Sequence, residues 1–433
     1  MKKKLLVLAL AFAMVFTFAA CGGSSSSSDD SSSSEGGTIR LCNNKVEVDE
    51  QYQALAAAYK EATGVTVEVE SIGGGQDIQS TLKGYYQADN MPDIFVIEGD
   101  KDYPTWEGKL ADLSNEAWVS DTSTAYTVDG TVYGFPTTTE AIGLAYNKSV
   151  LEAAGVDPAS ITSPEAMKTA FETIDAKKDE LGLTAVIGYC AEAAQLNWST
   201  GSHLFATYLD SGLARDDTTY IDLLNDGGKV DDARFLDWCE MVGLFNQYSD
   251  PDLLVSGTYD QQVQNFTAGK YAFVTQGSWI GASMTGSFAE DYSAAGNFEV
   301  GMVPYAFEDG QETILTNAPG YWVVYSESEN LDAAKEFLNW CATDDAAQQI
   351  LVEECGYVPQ FTTSYTSKDP FAATIAEYQK AGKTSAWHWT SMKADLCTKT
   401  GSVFQEYAKG TYASAEEFAA AMKEAIEAYY AAG

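Results

Sequence analysis

Residues 49–70 read DEQYQALAAAYKEATGVTVEVE, and a change of period inside this stretch decides the fold class. Over Asp49–Thr63 the apolar positions Tyr52, Leu55, Ala56 and Tyr59 recur three and four residues apart, which predicts a helix that Gly64 stops. From Val65 the period becomes two: Val65, Val67 and Val69 alternate with Thr66, Glu68 and Glu70, as on a half-buried strand. Upstream, Thr38 to Leu41 reads as a short strand. Downstream, Gly73 to Gly75 turns into a helix through Tyr85, and Ile94 to Ile97 is a short apolar strand. This β-α-β-α-β order predicts an α/β fold, with a mostly parallel sheet covered by helices on both faces.

Farther along, the alternation continues. Ile142 to Tyr146, Ala185 to Tyr189 and Tyr271 to Thr275 read as strands, and Pro164 to Lys178 and Asp260 to Ala268 as helices. Leu331 to Leu351 and Ala415 to Tyr430 predict long amphipathic helices. There is no internal repeat and no low-complexity linker within the body, so two α/β lobes woven together by more than one crossing satisfy the pattern.

The N-terminus carries an address. Lys2, Lys3 and Lys4 precede an apolar run from Leu5 to Phe18, then small residues Ala19 and Ala20, then Cys21. Charge, apolar core and small residues in that order form a secretory signal, too short to span a bilayer. Cys21 directly after them resembles the lipobox of bacterial lipoproteins, with Phe18 where the pattern usually has Leu. That resemblance implies cleavage after residue 20, acylation of Cys21 and attachment to the extracytoplasmic face of the cell membrane. Residues 21–37, rich in Ser and Asp, cannot bury enough surface to order themselves and are expected to be a tether.

Composition narrows the function classes. The net charge of −38 becomes about −41 once the three leader lysines are removed, and such a field repels nucleic acid. Beyond the tether roughly 395 residues remain, enough for two domains. Aromatics are abundant, with 25 Tyr, 19 Phe and 9 Trp, more than a core requires. Of seven Cys, six besides Cys21 are read mostly as buried free thiols, with Cys341 and Cys355 a possible bridge. Only His203 and His388 exist, so His-based metal sites and relays lack material, and no metal or cofactor is expected. HExxH, GxSxG and P-loop patterns are absent, and Gly73-Gly74-Gly75 is a turn rather than a dinucleotide fingerprint.

Six ordered segments carry a family resemblance. They are Met91-Pro-Asp-Ile-Phe-Val-Ile97, Gly134-Phe-Pro-Thr-Thr-Thr-Glu-Ala-Ile-Gly-Leu-Ala-Tyr-Asn-Lys148 with Ala154-Gly155, Phe266-Thr-Ala-Gly-Lys270 through Gly277-Ser-Trp279, Gly301-Met-Val-Pro304, the helix Ala333 to Trp340, and Gly356-Tyr-Val-Pro359. Together they resemble the sugar-binding group of extracellular solute-binding proteins of ABC importers, which includes maltose-binding protein. The resemblance implies a two-lobed class II periplasmic-binding-protein-like fold with the ligand cleft between the lobes. Lobe one is then residues 38–139 plus 320–357, and lobe two 140–319 plus 358–433. It also implies a monomer that closes on a carbohydrate, an oligosaccharide in particular, and delivers it to ABC permease subunits without bond chemistry.

Site residues follow position by position. Trp279 stands where the family places a stacking Trp, and Glu140 at the carboxylate just after the first crossing. Asp100 and Lys101 stand where the family has a hydroxyl-binding Asp and Arg; Lys loses the bidentate fork of Arg. Glu98 lies at the same strand end, where open α/β sheets bind ligands. Trp387 and Trp389 flank His388 near the C-terminal stacking position, and spacing does not decide which faces the cleft. Trp198, beside Asn197 and Gln195, falls in the second-lobe wall, and Tyr321 and Trp322 where the chain crosses between lobes. Tyr103 and Trp106 offer a platform from lobe one or a cover for its loop. Two rival functions are a cationic solute such as a polyamine on the same fold, and an extracellular glycan-degrading lipoprotein.

Overall fold

The computed structural model describes residues 37–432 apart from Gly75 and Ser123. The leader, Cys21 and most of the tether lie outside the described residues. The helix expected at Asp49–Thr63 forms at those residues, burying Tyr52, Leu55, Ala56 and Tyr59, and ends at Gly64 with φ of 81°. A residue other than glycine would be strained there.

The strands are β1 (Thr38–Asn43), β2 (Thr66–Ser71), β3 (Ile94–Ile97), β4 (Tyr126–Val128) and β5 (Thr131–Pro136). They continue with β6 (Glu140–Ile142), β7 (Leu144–Asn147), β8 (Ala185–Gly188) and β9 (Tyr271–Val274). The last are β10 (Val300–Val303), β11 (Ile314–Asn317), β12 (Tyr321–Val324) and β13 (Thr384–Ser385). They make three sheets, ordered β2-β1-β3-β12-β5-β4, β10-β7-β9-β8 and β13-β11-β6.

Only the β2-β1-β3 edge of the first sheet is parallel; β12 runs antiparallel between β3 and β5, and β4 antiparallel to β5. The mostly parallel sheet expected from the opening run is corrected accordingly. β12 reaches this sheet from the other lobe rather than through a local helical crossover, so nothing imposes parallel pairing on it.

Two other expectations change. The single strand expected over Ile142–Tyr146 is split at Gly143 into β6 and β7, which join different sheets. A Cβ at Gly143 would lie 3.0 Å from both Ile314 and Met302, a close approach that glycine relieves where the chain changes sheets. The long helix expected over Leu331–Leu351 stops at Thr343, because Asp344 adopts an extended conformation and accepts from Ala346 N at 2.9 Å to cap a new start. A π-helical turn, Gln349–Glu354, follows.

Side chains from residues 39–135 and 318–361 share one core, in which Trp106, Trp118, Phe135 and Trp322 are buried. The remaining buried side chains, from Ala141 to Ile426, pack in two adjoining clusters of the second lobe. Phe361, beyond the crossing expected at 357, still packs on Phe135 in the first core. The chain thus passes between lobes after Pro136, after Asn317 and again between Phe361 and Phe371. These crossings are tied together: Thr138 Oγ1 accepts from Val358 N at 3.0 Å, and Gln360 Nε2 donates to Thr139 Oγ1 at 3.2 Å. Cys341 and Cys355 are both free and buried, so the bridge considered between them is not formed. Among the described residues no helix is long and apolar enough to cross a membrane.

Candidate functional site

The C-terminal ends of β1 and β3 deliver the first wall of the cleft, as open sheets do at their strand ends. Beyond β1, Lys45 Nζ lies 2.5 Å from Glu140 Oε1 and 3.4 Å from Glu47 Oε1. Glu140 is 6 % exposed and opens β6, so this ion pair spans the two lobes. Burial opposes the charged Lys45, but Glu140 and Glu47 outweigh it and hold its pKa above the usual lysine value. The Glu140 carboxyl is lifted by burial and drawn back by Lys45.

Beyond β3, Gly99 with φ of 73° lets the chain fold back. Lys101 Nζ then lies 2.6 Å from Glu98 Oε2, and Asp102 Oδ2 accepts from Glu98 N at 2.8 Å. Burial first and Glu98 second push the Asp102 carboxyl up to about 6. Asp100 accepts from Tyr126 Oη at 2.7 Å and from Ser391 Oγ, on the opposite lobe, at 3.3 Å.

The second wall is aromatic. Trp279, just after β9, is oriented by a chain of amides. Its Nε1 donates to Gln276 Oε1 at 3.1 Å, Gln276 Nε2 donates to Gln262 Oε1 at 2.9 Å, and Gln262 Nε2 donates to Gly188 O at 2.7 Å. A Cβ at Gly277 would fall 2.0 Å from the Trp279 ring, so this ring position requires glycine there. Trp198 lies 6.4 Å from Trp279 between ring centroids, and His203 stands 4.9 Å from both Trp279 and Trp389.

Trp387 and Trp389 belong to a loop pinned from behind. Asp210, 1 % exposed, accepts from His388 N at 3.0 Å and lies 2.5 Å from His388 Nδ1. That bond holds the His388 pKa above its usual value against the pull of burial. Asn225 Nδ2 donates to Ser391 O at 3.0 Å, and Arg215 to Ser385 O at 3.0 Å. With His388 turned toward Asp210, its two neighbours turn toward His203. Trp389 is the ring that meets lobe one: Lys101 Nζ sits 5.3 Å over its centroid.

The lobes therefore already touch, and a cavity of about 20 Å³ lined by Glu140, Trp279, Asp369 and Tyr357 remains at the crossings. That is room for about one water, not a sugar ring. A sugar would fit between these walls only with the lobes parted. A larger open groove of about 760 Å³ lies between residues 232–236 and 416–431. Alanines and solvated charges dominate its lining, without a Trp platform, so the cleft is the better site.

The structure brings Glu98, Asp100, Lys101, Glu140, Trp198, Trp279, Trp387 and Trp389 to the facing walls. Trp322 is removed from the set: it is 2 % exposed, stacked on Phe135 at 5.9 Å and on Phe337 at 6.2 Å within the first core. Successive strand residues point to opposite faces, so Tyr321 and Trp322 cannot both face the cleft. Tyr321 packs at 5.1 Å on Tyr126, the phenol that holds Asp100. Trp106 is likewise a core ring, donating to Gln79 Oε1 at 2.9 Å, and Gln195 is exposed. Lys45, Glu47, His203, Gln276 and Asp369 are additions. Gln276 falls inside the stretch from Phe266 to Trp279 at a position the pattern leaves open, the others belong to no motif, and Lys45 carried a signal in its place just past a strand end.

Comparison with known proteins identifies the family and the fold. A family model for bacterial extracellular solute-binding proteins matches residues 54–380, and the chain belongs to that family. It is 25 % identical over 346 residues to the melibiose/raffinose/stachyose-binding protein MelE of Bacillus subtilis, covering 76 % of this chain and 74 % of that one. Identity is also 25 % over 344 residues with a maltooligosaccharide ABC transporter solute-binding lipoprotein of Streptococcus pneumoniae, covering 76 % and 74 %. In fold it is similar to the solute-binding protein RafE in complex with raffinose (TM-score 0.71, 18 % identity, 90 % and 99 % covered). A chitin oligosaccharide binding protein superposes with a TM-score of 0.74 at 18 % identity, with 92 % and 100 % covered.

Proposed function

We propose that this chain captures an oligosaccharide outside the cytoplasm and hands it, intact, to an ABC permease. The observation that carries this is the cleft wall of Trp198, Trp279, Trp387 and Trp389 facing Lys101, Glu98, Asp100 and Glu140. Flat rings suit the C–H faces of sugars, and the charged rim suits their hydroxyls. The sugars named for the relatives support the same class of ligand.

A polyamine is disfavoured by Lys101 over Trp389 and by Lys45 on Glu140, which put cations where a cationic ligand needs unpaired carboxylates. One observation favours the glycan-degrading rival: burial pushes the Asp369 carboxyl up to about 8, so it is protonated at neutral pH. Its Oδ1 is engaged by Phe371 N at 2.7 Å, and the Glu140 carboxylate by Lys45, so both members of this pair are already held by the chain. A thermal-shift screen against raffinose, maltotriose, chitotriose and spermidine tests this. A glycan is expected to raise the melting temperature and spermidine not; a response to spermidine alone would sink the proposal.

Acylation of Cys21, with the Ser-rich segment as tether, would keep the lobes near their permease and raise its effective concentration. Mass spectrometry of the membrane-extracted N-terminal peptide is expected to show an acylated Cys21. A chain retaining Lys2–Lys4, or one starting elsewhere with a free thiol, would exclude the anchor.

A further inference from the structure

His203 is one of two histidines in the chain and stands at the centre of the aromatic wall. It rides on Ser199–Leu204, a π-helical turn, a rare geometry that recurs at functional sites. Four indoles surround it, with centroids at 4.9 Å for Trp279 and Trp389, 5.3 Å for Trp198 and 6.2 Å for Trp387. Burial, followed by the charges of Lys101 and Lys45, pushes the imidazole down to about 3, so it is neutral at any physiological pH.

Three polar atoms in this cluster are sealed from solvent and have no partner among the described residues: His203 Nδ1, Trp387 Nε1 and Trp389 Nε1. Buried polar groups of native proteins are nearly always paired, and a cluster of unpaired ones on a cleft wall calls for a partner from outside the chain. The two indoles are donors only, whereas a neutral imidazole has one donor and one acceptor nitrogen. A hydroxyl, which both donates and accepts, suits either kind of nitrogen.

We propose that His203 is a specificity-determining residue of the cleft, hydrogen-bonding through Nδ1 to a hydroxyl of a sugar ring seated among the tryptophans. This rests on the carbohydrate function proposed above and deepens it. A site built to bond a hydroxyl also rejects the analogue that lacks it.

The test is calorimetric titration of the wild type, His203→Phe and His203→Asn with the tightest glycan among raffinose, maltotriose and chitotriose. Phe keeps an aromatic ring but no polar atom, while Asn keeps a polar atom close to the Nδ1 position. H203F is expected to weaken binding at least roughly tenfold, with H203N recovering most of the loss. A second measurement uses the wild type alone: among mono-deoxy analogues of that glycan, one should lose at least roughly tenfold in affinity. If H203F binds as the wild type does, or no single hydroxyl matters to the wild type, the role of His203 is overturned while the carbohydrate function stands. If the wild type binds none of the glycans, both fall.

Discussion

Lys45→Met is expected to cost the ligand-free protein about 3–5 kcal/mol of stability, the usual penalty for removing one partner of a buried ion pair. The pair is well sheltered, with Lys45 13 % and Glu140 8 % exposed at the side chain. Methionine keeps the volume and removes the charge, leaving Glu140 buried beside Glu47 and close enough to raise Asp369 as well. The sign with pH follows from Glu140. Its folded pKa lies above the free value of 4.5 because of burial, so protonation favours the folded state, and more so without Lys45. The deficit should be largest near pH 8 and shrink as pH falls through that raised value. Urea unfolding of both proteins at pH 8 and pH 5 measures it. Equal midpoints at pH 8 would mean the cross-lobe pair is not maintained in solution.

Trp279→Ala has the largest effect expected on binding, a loss of about thirtyfold or more, as for a buried Trp anchor at an interface. The ring is fixed before any ligand arrives, by Gln276 behind it and by the missing Cβ of Gly277 beside it. Its removal therefore takes away a preorganised platform and not merely contact area. Because Trp279 also packs against the second-lobe core, the ligand-free melting temperature must be read alongside. Trp279→Phe, which keeps a flat face, should retain more affinity than alanine. Unchanged affinity in the alanine variant would place the sugar elsewhere.

What could be read from the chain alone depended on whether local pattern or distant contact decides. The helix at Asp49–Thr63 and the strand at Ile94–Ile97 follow from their own side chains and formed where expected. The break at Gly143 is invisible locally, because apolar residues continue through it and the neighbours that crowd it, Met302 and Ile314, lie far along the chain. The antiparallel β12 is similar, since a strand that arrives from another lobe carries no mark of its direction.

At the cleft, Trp279 and Glu140 could be named because they sit in recognisable stretches. Trp322 misled because Tyr321 and Trp322 are adjacent on one strand, and alternation sends one outward without saying which. His203 was invisible for another reason. Its place is set by a π-helical turn and by indoles contributed from residues 198, 279, 387 and 389, which no spacing brings together. The tie between Lys45 and Glu140 likewise joins residues from different lobes.

The most direct test of the central claim is calorimetric titration of the purified protein with raffinose, maltotriose and chitotriose, followed by chromatographic recovery of the sugar. One glycan should bind one molecule per chain and be recovered unchanged. No binding to any of them, or recovery of shortened products, would contradict capture between the lobes without chemistry.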